Sequence, residues 1–151
     1  MTGMLTRYER LVAAGELRSD PDQRRAAERL DRLQKDLEAE SSGGLLSQLF
    51  RARKANPQGV YMWGGVGRGK SMLMDLFVET LGIDEKRRVH FHEFMLEVDR
   101  RIRERRESDP GDPTGKVARD IAQDVRCLAF DEMVVNNTAD AAIMARLFTA
   151  L

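Results

Sequence analysis

Residues 64–71 read Gly64-Gly65-Val66-Gly67-Arg68-Gly69-Lys70-Ser71, which is G-x-x-x-x-G-K-[ST] without a mismatch. A backbone cradle for phosphate needs N–H groups turned inward with no Cβ in the way, and glycine supplies that. It also needs a lysine that reaches the β- and γ-phosphates and a hydroxyl for Mg²⁺, the residue types found at Lys70 and Ser71. The flanks strengthen the match. Gly59-Val60-Tyr61-Met62-Trp63 is short, apolar and rich in β-formers, so a buried strand is expected there. Met72 to Leu81 has no glycine or proline, places Leu73, Leu76, Phe77 and Leu81 at helical spacing, and runs into Gly82, the expected C-terminal stop. Strand, glycine loop and helix form the context in which this octapeptide binds nucleotide, and the helix N-terminus adds its partial positive charge. Gly64, Gly65, Val66, Gly67, Arg68, Gly69, Lys70, Ser71 and Met72 are therefore the expected nucleotide contacts. The competing reading is a glycine-rich turn that only resembles the motif.

The totals narrow the class further. A chain of 151 residues can bury one proper core. The 25 basic residues balance the 25 acidic ones, which argues against a strongly basic nucleic-acid surface, so nucleic acid is not an expected partner. A lone cysteine, Cys127, rules out an internal disulfide and fits a reducing compartment. No apolar run approaches the length of a membrane span. Residues 1–10 lack the apolar core of a secretory signal and the arginine-serine richness of a transit peptide, so a cytoplasmic protein is expected.

Three segments follow from the pattern: an N-terminal helical segment at 1–40, a linker at 41–58, and a nucleotide domain at 59–151. In the first, Leu5, Tyr8, Leu11 and Val12 precede a stop at Gly15. Asp20-Pro21-Asp22-Gln23 then opens a helix, with Asp20 as N-cap, Pro21 at its first position and Gln23 reaching back. Ala26, Leu30, Leu33 and Leu37 form its apolar stripe, which reads as a packed face or, less simply, as a partner-binding element. The linker carries Leu45, Leu46, Leu49 and Phe50 and a small basic cluster, Arg51, Arg53 and Lys54, that reads as solvated surface. Beyond the first nucleotide-domain helix, a second strand is expected at Arg88–His92. A helix from Glu93 follows, with Phe94, Met95, Val98 and Ile102 on one face and a basic end at 100–106. Next come a loop at 108–113, a short helix with Val117 and Ile121, and a third strand from Val125 to Phe130. Asn136-Asn137-Thr138 is expected to cap a last helix whose apolar contacts come from Ala142, Ile143, Leu147, Phe148 and Leu151.

Cys127-Leu128-Ala129-Phe130-Asp131-Glu132 is an apolar run ending in two carboxylates. About sixty residues after the glycine loop, it reads as a Walker B segment. Asp131 is then the second Mg²⁺-holding residue after Ser71, working through water, and Glu132 polarises the water that attacks the γ-phosphate. The plainer alternative is a buried strand followed by an acidic turn. Lys70 and Glu132 are thus the expected catalytic residues, with ATP and Mg²⁺ as cofactors. His90 and His92, two apart on the expected strand, share a side, but no third metal ligand stands at a motif-like spacing. Cys127 reads as core rather than nucleophile.

The chain resembles the AFG-like ATPase family on residues spread over nearly its whole length. They are Tyr61 to Ser71 with Leu73-Met74-Asp75-Leu76-Phe77, His90-Phe91-His92 with Phe94-Met95-Leu96, Phe130-Asp131-Glu132, Ala139-Asp140-Ala141 and Arg146-Leu147-Phe148. Tyr8, Gly15, Leu17, Asp20, Gln23 and Leu30 fit the family's opening region. The resemblance implies an α/β P-loop fold of AAA+ type, a parallel sheet flanked by helices, with ATP binding and Mg²⁺-dependent hydrolysis. It also implies, for bacterial members, a cytoplasmic protein acting on the cell-division ring, with a homo-oligomer as one expected state. Departures are Met133 for a usual aromatic, Asn137 for a common aspartate and Asp99 for a common histidine. The resemblance implies a continuation into a sensor-1 strand, an arginine finger and a C-terminal lid, none of which is expected within residues 1–151. The expected domain is therefore incomplete at its C-terminus and weakly stable alone, because in the fold that the resemblance implies the strand after the Walker B segment would lie between the strand before the glycine loop and the strand ending at Phe130. Two rival functions remain at this point. One is an interaction protein with residual nucleotide binding; the other is a small-molecule kinase, disfavoured because Glu132 suits water activation.

Overall fold

The structure, a computed structural model, describes residues 3–41, 58–63 and 69–150. It divides into two compact units, Met1–Asp84 and Glu85–Leu151. The glycines, valine and arginine at 64–68 lie outside the described residues, as do almost the whole expected linker, its basic cluster and Leu151. Among the described residues no helix is long and apolar enough to cross a membrane.

The first unit contains α1 (Met4–Ala13), α2 (Pro21–Ser41) and α3 (Lys70–Thr80). Gly15, at φ 76°, ends α1 as its position predicts, and its N–H donates to the Val12 carbonyl at 3.1 Å. Asp20 caps α2, its carboxylate accepting from the N–H groups of Asp22 at 2.8 Å and Gln23 at 3.3 Å. The buried face of α2 is not purely apolar. Alongside Ala27, Leu30 and Leu37 it buries Asp31 and Gln34, the latter only 2 % exposed. These polar groups do what the neighbouring helices cannot do for themselves. Gly3 gives α1 no side-chain cap; Gln34 Oε1 accepts from Met4 N–H at 2.9 Å and Asp31 from Leu5 N–H at 3.1 Å. Gln34 Nε2 also donates to the Thr80 carbonyl at 2.9 Å, and Glu38 accepts from Gly82 N–H at 2.8 Å. Burial pushes the Asp31 carboxyl up, but the Lys35 ammonium and the Leu5 N–H outweigh it and hold it below its usual value.

Two expectations for this unit are corrected. Gly82 does not stop α3 by turning left-handed: the positive-φ glycines among the described residues are Gly15 and Gly69. The helix ends at Thr80, whose hydroxyl and carbonyl are bonded within α3 and to Gln34. Residues 59–63 form no strand, and Tyr61 and Trp63 are 73 % and 85 % exposed. An extended segment becomes a strand only beside a neighbour that pairs its N–H and C=O groups, and the described ladder joins two other segments.

Those segments are β1 (Lys86–His90) and β2 (Cys127–Asp131) of the second unit, which also holds α4 (Phe91–Ser108), α5 (Pro113–Asp124) and α6 (Thr138–Ala150). The strands pair in parallel, Lys86 opposite Cys127 through His90 opposite Asp131. Parallel neighbours need a crossover, which α4 and α5 provide. Phe91, Phe94, Met95, Val98 and Ile102 of α4 form the core with Val117, Ala118, Ile121, Met144 and Leu147. The Phe91 and Phe94 rings meet Phe130 of β2 at 5.6 Å and 4.8 Å between centroids. Arg87 and Arg101 both bond Glu97, at 3.2 Å and 2.7 Å, and the Arg87 guanidinium holds the Glu97 carboxyl below its usual value. The basic end of α4 is largely paired internally: Arg100 with Glu104 at 2.8 Å and Arg105 with Asp120 at 2.7 Å.

Three expectations shift here as well. The second strand stops at His90 and the helix begins at Phe91, two residues before Glu93, because Phe91 continues the three-four spacing of the apolar face and is buried with it. His90 and His92 therefore do not share a strand face; one ends β1 and the other lies in the first turn of α4. In α6, Asn137 caps as expected, accepting from Asp140 N–H at 2.8 Å, but Met144 and Leu147 are the buried contacts while Ala142 and Phe148 are exposed.

Candidate functional site

The residues that close the glycine loop lie in the first unit. Gly69 is the N-cap of α3, in the left-handed conformation at φ 71° and ψ 15°. Its carbonyl accepts the Leu73 N–H at 3.0 Å, so the helix starts at Lys70, and Lys70, Ser71 and Met72 make up its first turn. N–H groups in a first turn have no acceptor earlier in their own helix, and with the helix dipole they suit an anion. Lys70 and Met72 are partly buried, and Ser71 is exposed.

The backbone conformation favours glycine at 69, and a side chain there would also have to displace the flexible end of Gln23. The positive φ strains any residue with a Cβ, and that Cβ would stand 2.8 Å from Gln23 Nε2 and 3.5 Å from Met72 Cε. Gln23 of α2 thus packs against the closing glycine, a placement that its capping position did not reveal. Gly69→Ala is expected to cost about 1–2 kcal/mol of stability from the backbone alone and to weaken ATP binding by displacing the start of α3. Adding Gln23→Ala should remove the collision and recover only part of the loss. Urea titrations and ATP titrations of both variants check this; a Gly69→Ala protein as stable as wild type would overturn it.

The two carboxylates, considered by themselves, lie in the second unit. Asp131 is the last residue of β2, at the C-terminal edge of the parallel pair, where ligands of such sheets bind. Arg88 Nη2 contacts its Oδ2 at 2.6 Å, with the two side chains 22 % and 17 % exposed. Glu132 follows at φ 51°, the one non-glycine positive φ among the described residues, and is exposed. A bulky residue held there costs on the order of 1–3 kcal/mol, a conformation that clusters at functional sites. Cys127 is partly buried in β2, and burial pushes its thiol up, away from the reactive thiolate.

The Ser71 hydroxyl and the Asp131 carboxylate are hard oxygen donors, the chemistry Mg²⁺ prefers while keeping most of its waters. Among the described residues no three His, Cys, Asp or Glu side chains gather as an all-protein metal cage. The structure thus sets Gln23 against Gly69 at the start of the helix that Lys70, Ser71 and Met72 open, and separately pairs Arg88 with Asp131, which Glu132 follows; Gly64 to Arg68 lie outside the described residues.

Comparison with known proteins gives a consistent answer. The family model described as AFG1-like ATPase matches residues 2–151. Lactation elevated protein 1 homolog B of Danio rerio is 33% identical over 198 residues, covering 98% of this chain and 39% of that protein. Cell division protein ZapE of Escherichia coli K12 is 33% identical over 158 residues, covering 97% of this chain and 42% of that protein. The chain therefore spans about two fifths of the length of these relatives. No solved structure matches. A family model that runs from the second residue to the last, with relatives a third identical over the same span, places the chain in the AFG1-like ATPase family of P-loop proteins.

Proposed function

We propose that the chain binds ATP with Mg²⁺ and hydrolyses it, in a nucleotide domain of AAA+ type. The observation that carries this reading is the closing glycine of a complete G-x-x-x-x-G-K-S motif, left-handed and capping the helix that Lys70 and Ser71 open. In this reading the backbone at Gly65, Gly67 and Gly69 donates to phosphate oxygens and Lys70 neutralises the β- and γ-phosphates. Ser71 and Asp131 hold Mg²⁺, which when bound offsets phosphate charge. Glu132 accepts a proton from the water that attacks phosphorus. An arginine from a neighbouring subunit completes charge stabilisation in such assemblies, so a homo-oligomer is part of the proposal and slow turnover by the lone chain is expected.

Incubation with ATP and Mg²⁺ and no added acceptor tests the enzyme class. Phosphate release supports hydrolysis; release only with a hydroxyl-bearing acceptor supports a kinase; no binding of ATP at all removes the reading. The likeness to ZapE extends the proposal to a cytoplasmic role in bacterial division. A tagged chain that spreads evenly through dividing bacteria, with none gathered at mid-cell, would count against that extension.

A further inference from the structure

The ion pair between Arg88 and Asp131 joins a residue with no role in the motifs to one expected to serve the metal. In the parallel register Arg88 stands opposite Ala129, and His90 opposite Asp131. Alternation places Arg88 and His90 on one face of β1 and Ala129 and Asp131 on the matching face of β2. Arg88 therefore reaches one pair further along the strands, toward the C-terminal edge, to meet the carboxylate at 2.6 Å. Both side chains are mostly out of solvent. A pair taken that far out of water gains little net stability over apolar residues of the same size. What a charge-assisted bond does supply is a fixed carboxylate orientation. Asp131 ends its strand, and Glu132 immediately leaves it at positive φ, so backbone pairing beyond Asp131 does not hold the side chain.

We propose that Arg88 is a positioning residue for the Asp131 carboxylate, fixing the orientation in which it would serve a magnesium hydrate. The proposal rests on the ATP–Mg²⁺ reading above and adds to it the group that aims one of its ligands. Partners that orient metal-associated carboxylates typically change metal affinity by about 10- to 100-fold when removed.

The test is the affinity of the full chain for a fluorescent ATP analogue, measured with MgCl₂ and again with EDTA, for wild type, Arg88→Gln, Asp131→Asn and the double variant. The expected result is a loss of about tenfold in Arg88→Gln with Mg²⁺ and no loss in EDTA. The double variant should be no worse than Asp131→Asn, since both changes act through one carboxylate. Arg88→Lys, which keeps the charge and is the milder change, should lose an intermediate amount and decides the matter if Arg88→Gln does not fold. Equal losses with and without Mg²⁺ would show a merely structural ion pair and overturn the proposal. So would wild-type behaviour in both arginine variants while Asp131→Asn loses its Mg²⁺ response. If wild type itself shows no Mg²⁺ response, the underlying metal reading fails and the positioning role goes with it.

Discussion

Replacing Glu132 by glutamine is expected to slow phosphate release from ATP by about 100- to 10,000-fold while leaving ATP affinity within about twofold, the signature of a lost general base. The substitution keeps the side chain's shape and removes its ability to take a proton. Glu132 is exposed and held at φ 51° directly after the strand that ends in Asp131, so no packing is lost with its charge. Lys70→Ala should behave in the opposite sense and lose binding itself, because an ammonium that neutralises phosphate acts in the ground state as well as the transition state. Phosphate release and equilibrium binding, measured on both variants, separate the two roles. Equal turnover in wild type and Glu132→Gln would remove Glu132 from the chemistry and leave the binding site standing.

The second large effect concerns the core beneath β2. Phe94 is 0 % exposed, and its ring packs 4.8 Å from that of Phe130, the residue before Asp131. The Arg87 guanidinium also lies 5.8 Å from its centroid. Phe94→Ala removes the contacts of a fully buried aromatic and leaves a cavity, for which about 3–5 kcal/mol is the usual cost. Complete native domains are stable by about 5–15 kcal/mol, and a domain expected to be weakly stable has less to lose, so most of the margin is expected to disappear. Amide hydrogen exchange should lose protection first at β2 and α4, and Mg²⁺-dependent ATP binding should weaken as the strand bearing Asp131 loosens. A destabilisation below about 1 kcal/mol by urea titration would mean that the core does not depend on this ring.

The helices were legible because their apolar spacing is local information. Leu73, Leu76 and Phe77, or Phe94, Met95, Val98 and Ile102, announce a buried face whatever they pack against, and all of them are buried. Boundaries were less legible. Phe91 belongs to the helix rather than the strand because burial of its ring on the α4 face decides the matter, and a β-favouring residue beside two histidines gave no local sign of that. The buried face of α2 is legible only in part for a related reason: Leu30 and Leu37 are buried as their spacing predicts, but so are two polar residues. Asp31 and Gln34 look like surface residues in a highly charged helix, yet their oxygens pair with N–H groups that α1 leaves uncapped. Such partners lie 26 and 30 residues away in sequence, beyond any helical periodicity.

The amino-acid sequence alone determined the phosphate-loop motif, the order Lys70-Ser71, the carboxylates Asp131 and Glu132, and the apolar faces of the helices, because each is a matter of residue type at fixed spacing. Tertiary structure decided which polar groups are taken out of water and by whom: Gln34 between two helix ends, Gln23 against Gly69, Arg88 on Asp131. It also decided that residues 59–63 take no strand pairing among the described residues while Lys86–His90 does. Hydrogen bonds and charge pairs need a partner at about 3 Å, and chain folding, not spacing along the chain, brings such partners together.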